Sequence, residues 1–195
     1  MASKEDILEQ LVEEFLIHRG YFVRHNVKFL PRKDHPNYIT NQNSNHSDID
    51  VLAIHPKLEG PDRVWAVSCK SWQSGLNPEQ KIQQIIQNKI VSGREAWRGF
   101  RELVRPKWSE AFISSVQAAT GYSSFTYVTA VTHVVGCAET WEQYPPFREA
   151  MSGNPIKLVT LQEMLQEVSS SLSTTVAGTE LGRTLQLFKA AGVII

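Results

Sequence analysis

Residues 21 to 72 carry three β-prone runs in succession, with no helical segment between them. "YFVRHNVKFL" alternates at period two and closes at Pro31, while "DIDVLAIH" and "RVWAVSCKSW" are joined by the polar turn "PKLEGPD". Parallel neighbours need a long crossover, usually a helix, so runs linked in this way pair antiparallel. A meander is therefore predicted, in which the start of one strand lies beside the end of the next. Asp50 immediately precedes "VLAI" and Lys70 follows "VWAV" through "SCK", so the meander would make this acid and this lysine neighbours.

Helical periodicity frames these strands. Ile7, Leu8, Leu11, Val12, Phe15 and Leu16 recur at i, i+3, i+4 spacing within residues 5 to 19, with Ser3 placed to cap and Gly20 to stop the helix. Asn77 as cap and Pro78 at the first helical position predict a helix running through "EQKIQQIIQNKIVSG". Further helix is expected over "REAWRGFRELV" and, past Pro106, "KWSEAFISSVQAA". "SFTYVTAVTHVV" is the most β-prone run of the chain. The last third reads as a short helix around "WEQYPPFREAM", a strand "IKLVTL", and helices "LQEMLQEVSSSL" and "ELGRTLQLFKAA". The order predicts one α/β domain over residues 1–195, with a mixed central sheet flanked by helices.

Composition narrows the function classes. The chain has 20 Lys plus Arg against 20 Asp plus Glu, so no global basic field steers it onto a polyanion and any such binding needs a local patch. Two cysteines, Cys69 and Cys137, lack CxxC spacing, which argues against a disulfide framework or a structural zinc site and for a reducing, cytoplasmic setting. No segment reaches the roughly 20 apolar residues of a membrane span. "PRKDHPNYITNQNSNHS" is expected to be a polar surface loop, with Arg32 and Lys33 able to reach a nucleic-acid backbone and His25, His35 and His46 around it. In "REAWRGFRELVRPKW", Arg94, Arg98, Arg101 and Arg105 at helical spacing form either a ridge suited to phosphates or an ordinary solvated face, while Trp97, Phe100 and Trp108 are expected to be core.

The pairing of Asp50 with "SCK" resembles the signature of the PD-(D/E)XK nuclease superfamily, the restriction-endonuclease-like fold, and is closest in flavour to its Mrr-like and Holliday-junction-resolvase-like members. In that fold an αβββαβ core carries an Asp and an acid-x-Lys triplet on adjacent strands. The resemblance covers residues 5 to about 135, leaving 136–195 as a C-terminal extension. It implies a metal-dependent DNA endonuclease in which Asp50, Glu9 and the Cys69 carbonyl hold Mg²⁺ or Mn²⁺ and Lys70 positions or activates the attacking water. Cleavage would leave a 5′-phosphate. Glu9 stands on the first helix at the family's distance before Gly20; Glu13, one turn on, is read as solvated face.

Ser68 is the departure, because it occupies the slot of the triplet's acid. A neutral hydroxyl removes one negative charge and weakens a Mg²⁺ site. Asp48 is an accessory acid, Glu79 on the following helix is the nearest carboxylate able to compensate, and Gln84 and Gln87 resemble glutamines that some family members place near the site. The alternative reading is a degenerate nuclease fold kept to bind nucleic acid or a protein partner. The closing segment "ELGRTLQLFKAAGVII" has one apolar face, to be covered by the domain itself or by a second subunit as a homodimer.

Overall fold

A computed structural model describes residues 7–40, 45–173, 175 and 177–193 of the chain. The Ser3 cap and residues 5 and 6 of the first helix lie outside the described residues, as do 41–44 of the polar loop and the last two residues of the closing segment.

The structure is α/β, built on a mixed five-stranded sheet flanked by helices. Helix α1 (Ile7–His18) leads into the strands β1 (Phe22–Phe29), β2 (Ser47–Ile54) and β3 (Val64–Lys70), which form the antiparallel meander. A crossover of α2 (Pro78–Ile86), a two-stranded hairpin β4 (Ile90–Val91) and β5 (Arg94–Glu95), a 3₁₀ turn (Ala96–Phe100), α3 (Arg101–Val104) and α4 (Pro106–Thr120) then delivers β6 (Thr126–Val131) parallel to β3. Helices α5 (Glu139–Glu142) and α6 (Pro145–Ala150) connect to β7 (Ile156–Thr160), parallel to β6, and α7 (Leu161–Ser171) and α8 (Glu180–Ala190) close the chain. The sheet order is β1-β2-β3-β6-β7.

Side-chain alternation sorts the sheet into two packed faces. One meets α1, α7 and α8 through Val51, Ala53, Trp65, Val67, Val128 and Ala130. The other, carrying Leu52, Ala66, Tyr127 and Val131, packs on the crossover helices through Phe100, Phe112 and Trp141. Cys69 packs toward the first face, so Ser68 and Lys70, its neighbours in the alternation, address the second. Helix α8 buries Leu185 against that first face and leaves Leu187 and Phe188 exposed. Among the described residues, no helix is long and apolar enough to cross a membrane.

The structure corrects the helices expected over residues 79–93 and 94–104. Helix α2 ends at Ile86 because Asn88 enters the left-handed region at φ 49°, and the Lys89 amide turns back to the Gln84 carbonyl at 2.9 Å. Ser92 and Gly93 then both take positive φ, 50° and 77°, the backbone of a tight two-residue hairpin turn. The Ser-Gly dipeptide is a turn signal that the apolar periodicity around Ile85, Ile86 and Ile90 had masked. The arginines of the expected ridge therefore leave from different elements: Arg94 from β5, Arg98 from the 3₁₀ turn, Arg101 from the start of α3 and Arg105 from the junction with α4.

The segments that follow β3 and β6 are stitched together beyond the sheet. The Leu76 amide donates to the His133 carbonyl at 2.9 Å, and the Val135 amide to the Leu76 carbonyl at 2.8 Å. Gly75, at φ +70°, makes this approach possible, since a Cβ there would meet the His133 ring and carbonyl oxygen at 2.6 Å. Gly75→Ala is expected to destabilise the fold by on the order of 2 kcal/mol, from positive-φ strain and backbone displacement together, read as a lower denaturant midpoint at unchanged slope.

Candidate functional site

The meander's register places Val51 opposite Val67, so Asp50 lies next to Ser68 at the end of the β2–β3 pair. The two strands are locked there by a side chain: the Cys69 amide donates to Asp50 Oδ2 at 2.6 Å. Burial pushes the Asp50 carboxyl above its ordinary value, with the nearby charges of Glu102 and Asp48 adding to the rise, while Lys70 and the Cys69 amide pull it back. The expected Asp50–Lys70 neighbourhood is thus present.

Ser68 stands between a cation and a buried phenol. Lys70 Nζ donates to Ser68 Oγ at 2.8 Å, and on the same sheet face the Tyr127 hydroxyl donates to Glu102 Oε1 at 2.6 Å. Tyr127 is fully buried, and burial first, then the Glu102 charge, drives its phenol far above the usual value, a rise that the Ser68 hydroxyl partly offsets. Glu102 itself is 6% exposed, on α3. A carboxylate absent at position 68 is therefore present at the Tyr127 hydroxyl, delivered from a different element.

Sequence reasoning missed Glu102 and Tyr127. A weak signal existed for Glu102, an acid between Phe100 and Leu103 in an apolar stretch, the position of a buried rather than a solvated side chain. Tyr127 could be tied to the site only through the parallel β3–β6 register, Ala66 against Tyr127 and Ser68 against Thr129, which no local pattern specifies.

The other expected residues fall as follows. Glu9 is half-buried in the first turn of α1, on the helix covering the opposite face from α3. Phe15 of that helix packs on Trp65, at the start of β3, with ring centroids 6.2 Å apart. Asp48 is exposed, at the outer end of β2. Glu79 is exposed on the first turn of α2, outside the lining of the cleft described next, whereas Gln84 lines it with its side-chain oxygen buried and unpartnered among the described residues. Glu13 Oε2 lies 3.2 Å from His25 Nε2, and His35 Nε2 lies 3.6 Å from Glu110. Arg32 and Lys33 are exposed, and the Arg32 Nε donates to Asp34 at 3.0 Å, which offsets its charge.

Lys70 opens on a cleft of about 1080 Å³ between α2, the β4–β5 hairpin and the 3₁₀ turn. Lys70, Lys81, Arg94, Arg98 and Arg101 line it against, among the described residues, a single carboxylate, Glu95, which Arg98 binds. A chain with no net charge thereby presents a strongly positive concavity, which favours a polyanion. Lys81 stands 4.8 Å over the Trp72 ring, and burial lowers its pKa; burial likewise lowers that of Arg101. Both cations are already partly stripped of water, so pairing with phosphate costs them less further desolvation.

Hard oxygen donors are what Mg²⁺ takes, and it is commonly held by one or two carboxylates completed by substrate phosphates. Asp50, with Oδ2 committed to the Cys69 amide and Oδ1 remaining, supplies one such carboxylate, and the charge of Glu102 is felt at it. Among the described residues, no group of three or more His, Cys, Asp or Glu side chains is spaced to hold a metal by itself. No protein-family model, curated protein or solved structure matches the chain.

Proposed function

We propose that the chain is a restriction-endonuclease-like protein that takes DNA into the basic cleft and hydrolyses a phosphodiester with Mg²⁺ or Mn²⁺ at Asp50 and Lys70. The observation that carries this reading is the juxtaposition of a half-buried carboxylate and a lysine on adjacent strands, with the lysine opening on a cleft lined by five cations. The element order α1-β1-β2-β3-crossover-β6 agrees with the αβββαβ core of that fold. The Cys69 amide fixes the Asp50 carboxylate, whose remaining oxygen would hold the metal together with the Cys69 carbonyl, substrate phosphates and water completing the shell and Glu102 and Glu9 standing as remoter acids. A bound Mg²⁺ would supply Lewis-acid stabilisation of the phosphoryl oxygens and a more acidic water. Lys70 gives one of its three donors to Ser68 and keeps the others for the attacking water or the scissile phosphate. Arg98, Arg101 and Lys81 hold the flanking phosphates.

One observation favours a second reading. Ser68 accepts from Lys70, so the lysine finds a neutral partner within its own triplet in place of a metal-binding acid, as in a fold kept for binding DNA or a protein partner rather than for cleaving it. Calorimetric titration of Mg²⁺ and Mn²⁺, with plasmid and branched-DNA cleavage on the same samples, separates the two. Catalysis predicts metal-dependent nicking that falls by roughly a hundredfold or more in Lys70→Ala, within the usual range for a positioned proton-transfer group, with metal binding retained. Neither binding of metal nor cleavage by the wild type would leave only the second reading.

A further inference from the structure

Across Arg98 and Arg101 from the Lys70 cleft lies a second pocket, of about 520 Å³, that the proposed hydrolysis does not use. Those two arginines line both, so one basic wall runs from one to the other. The second pocket differs in character from the first. Beside its cations it presents ring surfaces, Tyr38 on the loop after β1 and Trp97 on the 3₁₀ turn, above the buried Trp108. Among the described residues, no carboxylate belongs to its lining.

The pocket is built rather than incidental. Lys107 Nζ donates to the Asn37 carbonyl at 2.8 Å, holding the loop against the start of α4, and the Tyr38 amide donates to the His35 carbonyl at 2.8 Å. The Arg105 guanidinium centres 4.5 Å over the Trp97 ring and that of Arg101 4.8 Å over Trp108. Planar cations already stack on these rings, and a nucleobase offers the same flat, polarisable face. A duplex cannot use such surfaces, because its base faces are stacked inside and only edges and phosphates are exposed. The volume falls in the range of pockets that enclose one small ligand.

We propose that this pocket receives one unstacked nucleotide from a single-stranded segment adjoining the DNA in the cleft, its base against Tyr38 and Trp97 and its phosphate on Arg105 and Arg101. The substrate is then a duplex with a single-stranded end or branch, and the shared Arg98–Arg101 wall is where strand passes from one site to the other. The assignment rests on the nucleic-acid reading of the cleft but not on cleavage, so binding alone tests it.

The experiment is fluorescence anisotropy in metal-free buffer with a blunt duplex and with the same duplex bearing a short overhang that contains 2-aminopurine. Wild type is expected to bind the overhang duplex roughly tenfold more tightly, the scale of one stacked base. Its 2-aminopurine emission should change on binding. Tyr38→Ala, away from Asp50 and Lys70, is expected to remove that gain and leave blunt-duplex affinity nearly unchanged, and Arg105→Ala is expected to remove the gain as well. Trp97→Phe, which keeps a ring, is expected to retain most of it. Equal affinity of the wild type for the two duplexes overturns the pocket while the cleft stands, as does a gain that survives both Tyr38→Ala and Arg105→Ala. Absence of binding to either duplex overturns the pocket and the proposed function together.

Discussion

Asp50→Asn is expected to abolish metal-dependent cleavage and, in the same molecule, to raise the stability of the fold near neutral pH. The asparagine oxygen can still accept from the Cys69 amide, so the β2–β3 lock survives, but the charge that would draw a cation is gone. Loss of cleavage by roughly a thousandfold or more is the expected scale, since a metal's charge stabilisation is worth several kcal/mol. The stability gain follows from the direction of the Asp50 shift. Its folded-state carboxyl lies above the ordinary value of 3.8, because burial outweighs the help from Lys70 and the Cys69 amide. A carboxyl shifted up holds its proton in the native state, so its contribution to stability is complete below the ordinary value and is lost as pH rises through the folded value. A neutral amide in its place carries no such loss. Urea unfolding of both proteins across pH should show the variant more stable by about 1 kcal/mol at neutral pH, the usual size of a function-for-stability exchange, with the gap closing below the ordinary aspartate range. A variant less stable than wild type at neutral pH would mean that the Lys70 attraction outweighs burial.

Local rules were sufficient for most of the fold. Period-two alternation and turn residues marked β1, β2 and β3, and the absence of a helical crossover forced the meander, which by itself brought Asp50 to Lys70. The α1, α4 and α7 stripes were equally legible, because each buries one face on the sheet. The helix expected over residues 88 to 100 is replaced by a hairpin and a 3₁₀ turn because Ile90, Trp97 and Phe100 imitate a helical spacing, while the backbone is decided by left-handed residues at Asn88, Ser92 and Gly93. Side-chain periodicity carries no information about such a reversal.

The site was half legible for a related reason. Its strand-borne half, Asp50, Ser68 and Lys70, depends on nearest-neighbour antiparallel pairing, which sequence can specify. The other half depends on where a crossover of more than fifty residues between β3 and β6 returns. Only then does Tyr127 come to lie between Ser68 and Glu102. Glu79 was the nearest acid along the chain, but α2 leaves it exposed, and the carboxylate that reaches the site comes from α3. The expected helical ridge of arginines is absent, since the hairpin and the 3₁₀ turn gather Arg94, Arg98 and Arg101 around a concavity instead of along a line.

Tyr127→Phe is expected to be among the most destabilising single-atom deletions in the protein. The phenol donates to the buried Glu102 at 2.6 Å, and Phe removes that bond without opening room for a replacement. The stranded Glu102 carboxylate stays buried and loses a short hydrogen bond to a charged acceptor. A cost on the order of 2–4 kcal/mol is expected, visible as a lower denaturant midpoint. Glu102→Gln separates the bond from the charge. Its amide oxygen can still accept from Tyr127, so the stability loss should be smaller, but a negative charge that raises the Asp50 pKa is removed. The acid limb of the pH–cleavage profile is therefore expected to move to lower pH in Glu102→Gln and to hold its position in Tyr127→Phe, where the carboxylate remains. A limb unmoved by Glu102→Gln would confine Glu102 to packing. A shifted limb would tie its charge to ionisation of Asp50 and make the α3 carboxylate the electrostatic substitute for the acid that Ser68 lacks.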